Sequence, residues 1–330
     1  MMPSPPIRVP LQGILAAAAR HPHAEALRHK RRGTWVSWSW GDVAAWAEQL
    51  GQTLQKRHPN ATLVAISGDY APNLLAFALA AARVGAAVVP VPTSLTQPDL
   101  AEWLAGARPD LVFVGLREQV GAWRAALRQA GQAPELIADF HLPWGHPTGA
   151  GLTPAQDLFG RPSGILAFPR TGDGLWVEES TDWVDGLSYV LHVAAQTGRA
   201  LVFPESRAAA GRDRQEIQPA AFALSATHYE RLQRDLSARL STGGGLAARL
   251  TRSALAAAHR DSIQLHHRWL LGRVRGPLGL ARLHDLTVVA PSGDAVEVGY
   301  DLFTALGIRS GRALPPMQAE LAGQPGLAFA

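Results

Sequence analysis

Apolar residues recur at helical spacing near the start of the chain and alternate with polar residues between those stretches. The spacing predicts one helix over Leu11–Arg20 and a second helix whose N-terminus is capped by Ser39 or Asp42. Between the two helices, apolar and polar residues alternate on both sides of Arg32-Gly33, which is typical of a β-hairpin. The chain is therefore predicted to open as helix, hairpin and helix.

Short, continuous apolar runs follow, and helical stretches separate them. Turn-forming residues bound these runs, which is typical of strands buried in a parallel sheet. The alternation of such strands with helices predicts an α/β fold of stacked, mostly parallel sheets flanked by helices. The predicted strands are residues 62–67, 87–91, 111–114, 164–168, 200–203 and 286–289, and the predicted helices are residues 73–85, 99–107 and about 227–275.

The composition changes in the middle of the chain. Between Gly131 and Ser163 the sequence is rich in Pro, Gly and His, which predicts a loop or a seam between two subdomains. The chain has 330 residues, of which 47% are hydrophobic, so two ordinary domains can each bury a core. We predict one α/β subdomain over residues 1–150 and a second α/β subdomain over residues 151–330.

Composition and charge exclude several kinds of chemistry. The chain has no cysteine, which excludes disulfide bonds, thiolate metal ligands and a cysteine nucleophile. Its formal net charge of +4 is carried almost wholly by arginine, because Lys30 and Lys56 are the only lysines. No zinc-finger spacing or aromatic ribonucleoprotein motif accompanies this charge, so nucleic acid is not an expected partner. The sequence shows neither a secretory leader nor an apolar span long enough for a bilayer, which predicts a cytoplasmic protein.

Three groups of segments carry a resemblance to a known family. They are residues 24–43, residues 64–67 with 82–91, and residues 218–232 with 286–293 and 306–308. In these segments the chain resembles the N-terminal part of AMP-forming acyl-CoA synthetases, particularly the long-chain fatty-acid branch of the adenylate-forming superfamily. The resemblance implies the large N-terminal α/β domain of those enzymes in a shortened form, without their mobile C-terminal domain.

The resemblance also implies a phosphate-binding loop that closes in Thr-Gly-x-Pro-Lys-Gly. In the matching stretch, residues 168–177, Leu175 falls on the lysine and Trp176 on the closing glycine, while Asp173 adds a negative charge. A carboxylate beside phosphate groups opposes their binding. A small turn beside the adenine is implied at residues 290–294. The degenerate nucleotide-site positions are Arg170, Thr171, Gly172, Gly174, Ser292 and Gly293.

The family's adenine-stacking tyrosine and its magnesium-holding glutamate are replaced as well. The matching positions carry Leu314 and Gln318, and Met317 stands where the family has a threonine. Without that carboxylate no metal site is expected, and no catalytic residue is assigned. The resemblance therefore implies a catalytically degenerate relative that needs no cofactor. ATP or AMP and magnesium are expected only if residual activity is retained.

Other candidate residues have ordinary explanations beside the functional ones. His192 is the nearest candidate for a histidine of the family's acyl site, but a lone histidine on an apolar helix is more often a packed core residue. A serine-hydrolase elbow is absent, and Thr171-Gly172-Asp173-Gly174 lacks the third glycine of a dinucleotide-binding turn. A histidine-rich group is better explained as a solvated helix face than as a metal cluster, because adjacent histidines point in different directions. Its members are His259, Asp261, His266 and His267.

Three functional hypotheses follow. The first is a non-catalytic binding or accessory protein of fatty-acid and acyl metabolism, with an acyl or acyl-adenylate ligand or a protein partner from a lipid pathway. The second is a residual AMP-forming acyl-CoA ligase, or an acyl-adenylate binder, completed by a partner. The third is a membrane-surface scaffold, peripheral at the membrane, which binds anionic lipid through the arginine-rich stretch 229–275. A surface helix pair packed on the sheet explains the same stretch.

Overall fold

A computed structural model describes residues 6–139, 152–158, 164–166, 174–183, 185–242, 275–289, 303, 306 and 308–310. These residues form an α/β fold of two mostly parallel sheets flanked by helices, which confirms the predicted fold class. The helices are α1 (Leu11–Arg20), α2 (Trp40–Arg57), α3 (Pro72–Arg83), α4 (Gln97–Ala107), α5 (Val120–Gln129), α6 (Ala155–Leu158), α7 (Gly186–Thr197), α8 (Ala210–Ile217) and α9 (Ala226–Thr242).

Thirteen strands are described in these ranges. Five of them form a small sheet in the order β4-β3-β5-β6-β7, and eight form a large sheet in the order β13-β12-β11-β9-β10-β1-β2-β8. The strands are β1 (Glu25–Arg31), β2 (Thr34–Ser39), β3 (Leu63–Ser67), β4 (Ala87–Pro90), β5 (Leu111–Val114), β6 (Glu135–Ala138), β7 (Leu152–Pro154), β8 (Ile165–Leu166), β9 (Leu175–Trp176), β10 (Leu201–Phe203), β11 (Ala221–Ser225), β12 (Asp285–Val289) and β13 (Arg309–Ser310).

The small sheet is parallel throughout and is buried on both faces. Helix α3 packs on one face, where Phe77 stacks on Phe113 with ring centroids 5.0 Å apart. Helices α4 and α5 cover the opposite face, where Trp103 meets Trp123 edge to face. Burial on both faces explains why β5 has a continuous apolar run instead of an alternating one.

The large sheet is parallel from β13 to β1 and ends in the antiparallel strands β2 and β8. The hairpin between β1 and β2 is confirmed, and its turn residues Arg32 and Gly33 both have positive φ, as a two-residue hairpin turn of this kind requires. The N-terminal cap of α2 is also confirmed. The Ser39 side chain accepts a hydrogen bond from the Asp42 backbone N–H, and the Asp42 carboxylate accepts one from the Ser39 backbone N–H.

The loop predicted over residues 131–163 is wrong at three places, because β6, β7 and α6 lie inside it. Strands β6 and β7 extend the small sheet. Both strands are short, and Pro154 ends β7, which a proline can do because β7 lies at the sheet edge. The predicted subdomain boundary at residue 150 stays a prediction. Each sheet contains strands from both sides of residue 150, because β1 and β2 belong to the large sheet and β7 belongs to the small one.

The long helix predicted over residues 227–275 begins as α9, and residues 243–274 lie outside the described part of the chain. Within the described residues, no helix combines the length and the apolar character that a bilayer crossing requires.

Candidate functional site

The carboxyl ends of the two sheets meet at the segment 178–183, which follows β9 and crosses to the small sheet. The Thr181 backbone N–H donates to the Gly68 carbonyl at 2.9 Å, and the Gly68 N–H donates to Thr181 Oγ1 at 3.1 Å. The Tyr70 N–H donates to the Glu179 carbonyl at 2.9 Å. Open α/β sheets bind ligands at the carboxyl ends of their strands, so this meeting point is the candidate site.

Glu178 lies at the centre of the site, with only 4% of its surface exposed. Arg214 Nη1 donates to both of its carboxylate oxygens at 2.9 and 3.0 Å, and Trp176 Nε1 donates to Oε2 at 2.7 Å. His228 Nε2 lies 3.2 Å from Oε1. Burial alone would raise the pKa of this carboxyl, but the Arg214 charge and the His228 and Trp176 hydrogen bonds hold the pKa below its ordinary value.

His228 links Glu178 to a second buried carboxylate, Glu179. Its Nδ1 lies 3.3 Å from Glu179 Oε1, and the same oxygen accepts a hydrogen bond from the Ser225 N–H at 2.7 Å. Burial would lower the pKa of His228, but the hydrogen bonds and charges of the two glutamates raise it to about 9. At neutral pH His228 is therefore an imidazolium held between two carboxylates, and it does not serve as a free base.

Arg207, Asp69 and Asp182 form a second group of charged side chains at the carboxyl ends of the two sheets. Arg207 Nε lies 2.8 Å from Asp69 Oδ1, as an ion pair without hydrogen-bond alignment, and Arg207 Nη1 lies 3.6 Å from Asp182 Oδ2. Thr93 Oγ1 and the Ser94 N–H also donate to Asp182, at 2.5 and 2.9 Å. Burial raises the pKa of Asp69, whereas these hydrogen bonds outweigh burial at Asp182 and lower its pKa.

Lys30 is also held by carboxylates. Its Nζ donates to Asp213 Oδ1 at 2.9 Å and to Glu216 Oε1 at 2.6 Å, and the side chain is 4% exposed. Burial would lower the pKa of Lys30, but these partners raise it. The other lysine, Lys56, is exposed in the last turn of α2. The ammonium of the buried lysine is thus committed to an ion triplet that ties β1 to α8.

The structure corrects the assignment of Leu175 and Trp176 to a phosphate loop. Both are buried in β9, which pairs with β10 on one side and β11 on the other, so they lie inside the sheet. Gly174 precedes this strand, and a Cβ at that position would lie 2.6 Å from Val202 Cγ2. The predicted positions Arg170, Thr171, Gly172, Ser292 and Gly293 lie outside the described residues, as do His259, Asp261, His266, His267, Asp173, Leu314, Met317 and Gln318.

His192 does not belong to the charged cluster, which consists of Asp69, Glu178, Glu179, Asp182, Arg207, Arg214 and His228. It belongs to α7, where its Nε2 is 2.7 Å from Gln196 Nε2, and it lines a groove beside α1. Magnesium does not fit the described part of the site. Within that part no group of three or more His, Asp or Glu side chains is arranged to hold a metal ion, and the carboxylates present are already engaged by arginine or histidine.

Sequence reasoning missed the residues that form the site. One signal was present: two consecutive acidic residues directly follow the apolar run 175–177. Their cationic partners are far away in the sequence and are brought to the site only by the parallel order of β9, β10 and β11. The missed residues are Glu178, Glu179, Arg207, Arg214 and His228.

Comparisons with known proteins bear on the fold. Residues 14–145 match the sequence model of the AMP-binding enzyme family. No curated protein sequence matches the chain. Three similar solved structures are the A-PCP didomain of carboxylic acid reductase from Segniliparus rugosus (12% identity, TM-score 0.62), coronafacic acid ligase from Pectobacterium brasiliense (11%, 0.59) and the acyl-CoA synthetase of Brucella canis (16%, 0.57).

The alignments cover 93%, 89% and 87% of this chain and 52%, 63% and 53% of those three proteins, in the same order. The chain thus spans between about half and two thirds of the length of each. Identities of this size show the fold alone. Residues 14–145 are similar to the AMP-binding enzyme family, and the fold matches that of the N-terminal domain of adenylate-forming enzymes.

Proposed function

We propose that this chain is a non-catalytic binding or accessory protein of acyl metabolism, built on the adenylate-forming fold and unable to adenylate a substrate by itself. One observation carries the proposal: the described charged groups at the carboxyl ends of the two sheets are paired with one another. Four carboxylates, those of Asp69, Asp182, Glu178 and Glu179, face three cations, Arg207, Arg214 and His228.

This charge balance opposes a nucleoside triphosphate. The three cations are already neutralised, and four against three leaves the cluster with a net negative charge of one. A triphosphate with bound magnesium is itself negative, so its approach is unfavourable in a partly buried site. Adenylation depends on positive groups and a metal around the attacked phosphate. Of the two lysines in the sequence, Lys30 is engaged by two carboxylates and Lys56 lies on an exposed helix.

A second candidate is a residual AMP-forming acyl-CoA ligase, or an acyl-adenylate binder, completed by a partner that supplies a lysine and magnesium ligands. The match of residues 14–145 to the AMP-binding enzyme family favours it. The long-chain fatty-acid branch is part of either proposal, because it rests on sequence resemblance. A membrane-surface role rests on the stretch 229–275 and predicts sedimentation with anionic liposomes at low salt; no sedimentation there would exclude it.

Calorimetric titration with ATP and magnesium distinguishes the first two candidates. The accessory-protein proposal expects no saturable heat at nucleotide concentrations up to the millimolar range. A homologous ligase that binds ATP serves as the positive control, and circular dichroism confirms that the titrated protein is folded. Saturable binding with a dissociation constant of micromolar order would favour the ligase and refute the proposal.

A further inference from the structure

A groove lies between the N-terminal segment 8–10, helix α1 and helix α7, and Ala82 of α3 also lines it. Its volume is about 620 Å³, which is in the range of small-molecule sites. The two helices approach each other closely at Gly13 and Ala195, since a Cβ on Gly13 would lie 3.0 Å from Ala195 Cβ. His192 lies on the α7 side of the groove.

The lining of this groove has an unequal distribution of charge. Arg8 and Arg20 both line it, and among the described residues no Asp or Glu does. Within the described part of the chain, neither guanidinium has an ion-pair partner, although Arg20 Nε donates to the Ala16 carbonyl at 3.3 Å. Elsewhere in the described chain many arginines are paired with carboxylates, as Arg83 is with Glu48 and Arg199 with Asp285. Two uncompensated guanidiniums beside one groove make it attractive to an anion.

The rest of the lining is mostly apolar. Val9, Leu11 and Ala82 contribute to it together with further alanines. A small inorganic anion would leave this surface uncovered, whereas an uncharged hydrocarbon would leave the two guanidiniums without a partner. The lining is matched by a molecule that has one anionic head group and an apolar tail.

We propose that the α1–α7 groove binds an anionic amphiphile, a carboxylate or phosphate head group with an alkyl tail. Arg8 and Arg20 hold the head group, and the alanine and valine surface covers the tail. This groove is separate from the charged cluster at the carboxyl ends of the sheets. Binding there therefore needs no nucleotide and does not depend on whether the chain adenylates a substrate.

The test is calorimetric titration of the full chain with decanoate and with decyl phosphate, below their micelle concentrations and without nucleotide. We expect saturable binding of at least one of the two. The double variant Arg8→Gln/Arg20→Gln should bind about tenfold more weakly, since each partly exposed ion pair contributes a few-fold to affinity. Ala16→Phe, which fills the groove without changing its charge, should also weaken binding. Arg124→Gln, on the exposed face of α5, should bind as the wild type does.

The other outcomes overturn the proposal. They are wild-type affinity in the double arginine variant, unchanged binding in Ala16→Phe, the absence of saturable binding by the wild type, or inorganic phosphate binding as tightly as decyl phosphate. Phosphatidylglycerol vesicles distinguish a free amphiphile from a lipid surface. Co-sedimentation with vesicles that the arginine variant abolishes, together with no binding of either soluble amphiphile, would contradict a groove for single molecules.

Discussion

His228 makes the stability of this protein depend on pH in a window that can be calculated. The two glutamates beside it raise its pKa from 6.5 to about 9 in the folded chain. In the unfolded chain the histidine returns to its ordinary pKa and loses its proton near pH 6.5. Between pH 6.5 and 9 the folded state therefore holds one more proton than the unfolded state, and the free energy of unfolding falls as the pH rises.

The size of this effect follows from the two pKa values. One pKa unit corresponds to about 1.4 kcal/mol, so a rise from 6.5 to about 9 gives roughly 3 kcal/mol. The contribution is fully present below pH 6.5 and is lost as the pH passes 9. The side chain is 17% exposed, so solvent screening removes little of it.

The assay is urea unfolding of the wild type and of His228→Gln at half-unit steps from pH 6 to pH 9.5. We expect the wild type to lose about 3 kcal/mol of unfolding free energy across this range relative to the variant. His284→Gln is the matched control, because His284 is exposed and its Nδ1 lies 3.0 Å from the Arg282 carbonyl, whereas His228 lies between two carboxylates. Parallel pH curves for the wild type and His228→Gln would refute the arrangement of His228 between two carboxylates.

Three further predictions concern stability and are checked by urea unfolding. Lys30→Met should cost about 3 kcal/mol because it leaves Asp213 buried with a weaker set of partners, and full stability in this variant would contradict the ion triplet. Gly68→Ala should cost about 1–3 kcal/mol, because φ is +152° there and a Cβ would lie 2.9 Å from Gly115 Cα; a cost near zero would contradict this close approach. Burial and the Arg31 charge lower the pKa of His29 to about 4, so stability should fall as the pH drops from 6.5 towards 4. His29→Gln should remove that fall, and an unchanged acid curve would show that another group causes it.

Several elements, including strands of the small sheet, could be predicted from local patterns. The strand Leu111–Val114 was predicted with the observed bounds, because a strand buried on both faces has a continuous apolar run that its flanking turns delimit. The helix Leu11–Arg20 was predicted equally well from its apolar spacing. These elements are long or regular enough for their periodicity to be read without knowledge of their neighbours.

The site could not be predicted in the same way. Strand β9 has two residues in a glycine-rich stretch, so it has no period to recognise, and Leu175 and Trp176 were assigned to a loop. Its role depends on β10 and β11, which pair with it from later in the chain. Glu178 meets Arg214 across 36 residues of sequence. Ion pairs of this kind follow from the order of the strands, which local sequence does not determine.

Pyrophosphate release tests the central claim most directly. The purified chain is incubated with ATP, magnesium, coenzyme A and a panel of carboxylic acids from short to long chain, beside an active ligase as the positive control. If the charged groups at the carboxyl ends of the sheets are paired with one another, the amount of pyrophosphate released stays at the level measured without protein. Sustained release that depends on the acid, with formation of the corresponding thioester, would contradict the account.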